Sequence, residues 1–314
     1  KETCAASWLS QVSFAFISPK YDQTTLSYLK ENADVLEYSD DIIVNDIILS
    51  EDFQDEINES QQEDFSTSES FVRFCYEHKS LFDTGSLKDY ALNAADCDGD
   101  LKFVLYEEHV FFPSTSFDEY SKKEWLNSDW MYCLDSSYLK IDTDTEKVKA
   151  FLKKVFYIDE LDVNLFYRDI VSPNISEIID NISGSNDSDG TKNLDFISFL
   201  DDNYKLIFEI EKDAEKFSSI VLLGDADDDS FIDIASDSSY VYAYNEELKD
   251  ILDSTWFPAD TVNMCTQKYG ESKAVTAIKA KSYKFNEFFD DVIVEELENI
   301  NDTIGSKEAS IAFH

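Results

Sequence analysis

Glycine and proline are scarce, seven and four among 314 residues. That excludes a collagen-like or low-complexity chain. The glycines, among them Gly85, Gly99 and Gly224, form neither a P-loop nor a G-x-G-x-x-G phosphate cradle. Cations are scarce as well, with 26 Lys and Arg against 67 Asp and Glu and a net charge of −41. So few positive groups disfavour direct binding to nucleic acid or anionic membranes, because phosphate contacts depend on Lys and Arg displacing counterions. A basic protein partner, a metal cation and plain solubility all stay open. No apolar run approaches the roughly eighteen residues of a membrane span, and the N-terminus lacks a signal peptide's apolar core. The chain starts at Lys1 rather than Met, which points to a piece of a longer protein.

Reactive side chains are thinly spread. His78, His109 and His314 have no Cys or His at metal-ligand spacing for zinc. Cys4, Cys75, Cys97, Cys133 and Cys265 are odd in number, far apart and without a C-x-x-C pair, the pattern of reduced thiols in a cytoplasmic protein. A G-x-S-x-G elbow is missing. Carboxylates are so numerous that any glycosidase-type pair lacks specificity. These absences predict a non-enzymatic chain with no resident cofactor.

Apolar residues are plentiful, at 43%, and include 24 Phe, 17 Tyr and 4 Trp, enough for a sizeable core. They recur with a long period. Ile43-Val-Asn-Asp-Ile-Ile48 matches Phe166-Tyr-Arg-Asp-Ile-Val171 at an offset of 123, and a further 122 reaches Phe288-Phe-Asp-Asp-Val-Ile293. Each copy has apolar residues at i, i+1, i+4 and i+5 on one helical stripe, with an acid (Asp46, Asp169, Asp291) at i+3. Upstream, Thr25 to Lys30 parallels Val148 to Lys153; downstream, a polar loop precedes Phe71-Val-Arg-Phe74 and Phe196-Ile-Ser-Phe199.

Alternating, aromatic-rich segments follow at Leu101 to Tyr106 and His109 to Phe112, and again at Phe231 to Ile234 and Tyr240 to Tyr244, and read as hairpins. A short helix ending in tryptophan closes each copy, Tyr120 to Trp130 and Asn245 to Trp256. The expected fold is α+β: a tandem repeat of about 122 residues, each with three helices, an antiparallel hairpin and a short Trp-containing helix. Residues 1–20 would be a remnant of a preceding module, 21–142 and 143–270 two full modules, and 271–314 a truncated third.

Two candidate sites emerge. Asp96-Cys-Asp-Gly-Asp100, with Glu107 at the twelfth position, has the acids of a calcium loop at positions 1, 3, 5 and 12 (Asp96, Asp98, Asp100, Glu107). Leu101 stands where such a loop needs Gly, and the second copy keeps Asp225, Asp227 and Asp229 but has Ser236 twelfth, so an acidic hairpin turn is the competing reading. Tyr240, Tyr242 and Tyr244 share one strand face and offer a stacking surface for a peptide or ligand, or else core packing.

The helix order, the F-[IV]-x-F start of the third helix, the aromatic hairpin and the Trp-containing helix resemble the repeat regions of very large sacsin-like and No Vein-like proteins. In that family an Hsp90-type ATPase domain lies outside the repeats. The resemblance implies a non-catalytic, chaperone-like or scaffolding segment that binds protein partners or clients and carries over no catalytic residue. An acidic decoy for a basic, nucleic-acid-binding protein and a calcium-binding protein remain alternatives.

Overall fold

The computed structural model describes residues 21–33, 39–50, 53–55, 57–58, 65–224, 231–233, 240–254, 262–278 and 280–294. It is an α+β protein with small sheets, and no helix among these residues is long and apolar enough to cross a membrane. The chain divides into two compact units, Lys1–Ile170 and Val171–His314.

In the first unit, α1 (Gln23–Asn32) is capped by the Asp22 carboxylate, which accepts from the Thr25 N–H. α2 (Asp40–Ile42) runs into a π-helical turn, Ile43–Ile48, where the Leu49 N–H reaches back five residues to the Val44 carbonyl at 3.0 Å. The sequence pattern explains this turn. A π turn rotates less per residue than an α-helix, so apolar side chains at i, i+1, i+4 and i+5 converge on one side. Ile43, Val44, Ile47 and Ile48 are all buried, while Asn45 and Asp46 face solvent. The two matching segments also wind as π turns, at Phe166–Val171 and Phe289–Ile293.

α3 (Phe65–Glu77) leads to a five-stranded mixed sheet of β1 (Leu92–Ala95), β2 (Leu101–Val104), β3 (Val110–Phe112), β4 (Tyr132–Leu134) and β5 (Asp159–Glu160). Its order is β2-β1-β4-β3-β5. The hairpin is β1–β2, closed by the acidic turn; β3 does not pair with β2 as its sequence neighbourhood suggests, but lies parallel to β4 and β5. Between β3 and β4, α4 (Thr115–Tyr120) and a 3-10 turn at Ser128–Trp130 stand where one helix was expected.

α5 (Thr145–Phe156), capped by Asp144, buries Val148, Phe151, Leu152, Val155 and Phe156, each contributing about 1.5–3 kcal/mol of transfer free energy. These side chains share a core with the first π turn, α3 and the sheet, although they lie beyond the module boundary expected at 142. α6 (Val163–Leu165) then enters the π turn Phe166–Val171.

The second unit contains α7 (Ile175–Asn181), α8 (Thr191–Asp202), another π turn at Lys205–Ile210, β6 (Val221–Leu223), β7 (Phe231–Asp233), β8 (Tyr240–Tyr242), α9 (Glu246–Leu252), β9 (Val262–Met264), α10 (Lys273–Ile278) and α11 (Phe285–Phe288). β6 and β7 are antiparallel, and β8 and β9 are parallel. An antiparallel bridge joins Gly224 to Cys265 and a parallel one joins Tyr242 to Lys281. Here too the expected pairing of the 231 and 240 strands is replaced by a hairpin with the strand before them. Asn245 caps α9, which ends at Leu252; Trp256, expected to close this helix, lies outside the described residues.

Candidate functional site

The acidic turn is built to close a hairpin. Asp96 Oδ1 accepts from the backbone N–H groups of Asp98 and Asp100 at 3.0 and 2.9 Å, and Gly99, at φ +90°, takes the left-handed position that a side chain would resist. Asp96 Oδ2 is 2.9 Å from Lys102 Nζ, which also reaches Asp129 at 2.6 Å. Burial pushes the Asp96 carboxyl up, but Lys102 and the two N–H groups more than offset it and hold the group below its ordinary value. The lysine is held above its ordinary range in turn, by Asp129 first and Asp96 second. Glu107 sits beyond β2 in a 3-10 turn, Tyr106–Glu108. Among the described residues no three His, Cys, Asp or Glu side chains converge as a metal ion requires. Asp225, Asp227 and Asp229 lie outside the described residues.

The tyrosine stripe turns inward. Tyr242 is only 2% exposed and packs edge-on against Phe288 with ring centroids 5.7 Å apart; Tyr240 and Tyr244 pack against the same cluster, with Leu248, Val262, Met264 and Val292. The Tyr244 hydroxyl donates to Glu246 at 2.5 Å. Tyr242 thus belongs to the core, whereas Tyr240 and Tyr244 are half-buried at its edge.

Tyr138, which is buried, and Tyr269, which is half-buried, form a pair of clasps that sequence reading missed. The Tyr138 hydroxyl lies 2.5 Å from Ser68 Oγ on α3 and accepts the Asn93 N–H of β1 at 2.9 Å. In the second unit the Tyr269 hydroxyl donates to Asn193 Oδ1 on α8 at 2.5 Å and accepts the Leu223 N–H of β6 at 2.8 Å. Each clasp ties the long helix to the first hairpin strand through a residue just after the parallel strand. Lone tyrosines in 3-10 turns carry no motif; only the spacing of 131 between them was available as a signal.

Concave surface gathers around β5, the edge of the first unit's sheet. A cleft of about 550 Å³ opens between α5, β5 and α6, lined by Lys149, Lys153 and Arg168 together with Glu146, Asp159, Glu160 and Asp162. Lys149 pairs with Glu160 at 2.6 Å and Lys153 with Asp159. The Lys149 partner draws the Glu160 carboxyl below its usual value. Glu160 and the Lys153–Asp159 pair are open to solvent and Lys149 is half-buried, so both pairs are worth little in stability; they fix the charge pattern of the cleft.

A smaller cleft of about 200 Å³ shares Asp159 and Leu165 and adds His109, Val110, Phe111, Tyr157 and Asp169. Among the described residues three non-glycines have left-handed backbones, and two of them, His109 (φ 62°) and Tyr157 (φ 61°), line this cleft. Asp169 is the recurrent acid of the π turn. Its carboxylate has no ion pair or hydrogen bond among the described residues. Of its counterparts, Asp46 is exposed and Asp291 pairs with Lys281 at 3.2 Å.

No family model, curated protein or solved structure matches this chain.

The described cysteines, Cys75, Cys97, Cys133 and Cys265, are all free. Burial drives the Cys75 thiol well up, Cys97 and Cys265 to about 12 and Cys133 to about 11, so all four are protonated and poor nucleophiles at neutral pH. Cys4 lies outside the described residues.

Proposed function

We propose that this chain is a run of repeated modules of about 122 residues with a non-catalytic role: to bind protein partners or clients as a segment of a larger, sacsin-like cytoplasmic protein. The observation that carries the modular part is the matched strand pairing of the two units. Each has an antiparallel hairpin, a third strand parallel to the fourth, an antiparallel contact from the hairpin to the fourth, and a parallel contact from the third strand to a segment after the next helix. The paired tyrosine clasps and the three π turns support it. What recurs at matched positions is packing and one acid, and the recurrent acid sits on a cleft in the first unit. That combination favours a binding surface over chemistry.

The test of client binding is light scattering from a reduced, permanently unfolded reporter protein mixed with the full chain, without nucleotide and at two salt concentrations. Suppressed aggregation at stoichiometric chain, retained at high salt, is the expected result. Unchanged aggregation at every ratio rejects client binding. Suppression lost entirely at high salt points instead to the acidic-decoy reading, since exposed charge attraction is screened within about 10 Å at 0.1 M salt.

A further inference from the structure

The two units differ at one matched place, and the difference names a ligand. In the first unit Phe111 pairs with Asp159 on one side and Cys133 on the other; in the second Tyr242 pairs with Lys281 and Met264. Matching Phe111 to Tyr242 places His109 on Tyr240 and Asp159 on Lys281. The offset from Asp159 to Lys281 is 122, the same as from Asp169 to Asp291.

In the second unit this place is filled from within. The Lys281 ammonium is 3.2 Å from Asp291 Oδ2 and 4.6 Å from the Tyr240 ring centroid, an acid and an aromatic face holding one cation. In the first unit the lysine is replaced by Asp159, whose carboxylate is engaged by Lys153, and the matched position is the cleft of about 200 Å³ between His109, Tyr157, Leu165 and Asp169. The recurrent acid is retained and its internal cation is gone.

We infer that this smaller cleft receives the ammonium of a lysine side chain presented by a partner protein. Val110, Phe111 and Leu165 line the path of the methylene stem, and Asp169 meets the charge, as Asp291 meets Lys281. The volume of about 200 Å³ leaves room for a butylammonium arm. A metal ion is disfavoured there because no three ligating side chains gather among the described residues. The inference rests on the modular reading above, through the matching of the two units.

Amide NMR shifts of the full ¹⁵N-labelled chain, titrated with N-acetyl-lysine methylamide, test it. N-acetyl-norleucine methylamide, which keeps the four-carbon stem and lacks the ammonium, and calcium serve as the other arms. Saturable shifts at His109, Tyr157 and Asp169 with the lysine probe alone are expected, weakened roughly tenfold or more in Asp169→Asn. Equal shifts from norleucine, shifts from calcium alone, or an Asp169→Asn variant that folds and binds normally overturns the proposal. Lys281→Ala separates it from the modular reading. Removing the internal cation is expected to open a second lysine site near Tyr240 and Asp291. First-unit binding without that second site keeps the receptor and rejects the matching; a second site without first-unit binding does the reverse.

Discussion

Replacing Tyr138 by Phe removes one oxygen and leaves two buried partners, Ser68 Oγ and the Asn93 N–H, without it. A stranded buried group costs about 1–3 kcal/mol, so Tyr138→Phe is expected to lower the urea midpoint by a loss of that size without changing the slope. Tyr269→Phe, which strands Asn193 Oδ1 and the Leu223 N–H, is expected to match it. Burial pushes the Tyr138 phenol up to about 12, with Ser68 and Asn93 acting to lower it. An unfolded tyrosine titrates near 10. The native state therefore holds its proton more tightly, and this contribution to stability is full below about pH 10 and falls as the pH rises toward 12. Denaturation monitored at stepped alkaline pH checks this; a flat profile through that window contradicts it. The clasps were invisible in the sequence because each depends on a hydroxyl meeting distant partners, 45 and 70 residues away for Tyr138 and 46 and 76 for Tyr269.

Among the elements, α5 shows most clearly how local chemistry and remote contacts divide the work. Its start is written in the sequence by Asp144, which accepts from the Lys147 N–H, and its buried stripe by helical spacing. Its end is not. The Lys154 and Val155 carbonyls are satisfied by the Gly85 and Leu87 N–H groups from a distant loop, and the Lys154 ammonium reaches the Phe82 carbonyl. Gly85, at φ +72°, lies against the ring of Tyr157, and a Cβ there would come within 2.5 Å of its hydroxyl. Gly85→Ala is expected to cost more than about 1 kcal/mol by thermal melting, and to displace Tyr157 at the edge of the smaller cleft.

Strands β4 and β9 went unseen for a related reason. Each is three residues long, without alternation to read, and exists because it pairs with segments far along the chain. β1, with Leu92-Asn-Ala-Ala95, lacks the β-branched residues that mark strands, so its hairpin partner was assigned to the wrong side. The π turns were legible as stripes and became π turns only through packing.

For the molecule as a whole, 67 acids against 26 bases imply self-repulsion that the few exposed ion pairs do little to relieve. Added sodium chloride is expected to raise the melting temperature by screening; a fall would show that ion pairs outweigh repulsion. Division of the chain carries a second expectation. A fragment ending at residue 170 is expected to unfold cooperatively, whereas one ending at 142 lacks the five buried side chains of α5 and is expected to remain without a fixed core. Tryptophan fluorescence during urea unfolding distinguishes the two.

The late position of α5 in the first unit's core also has a consequence for biosynthesis. At about 5–20 residues per second, the stretch from 143 to 170 takes a few seconds to translate, and until it emerges the first sheet lacks its edge strand and covering helix. The nascent first unit therefore keeps an open sheet edge until its own last helix and strand have left the ribosome.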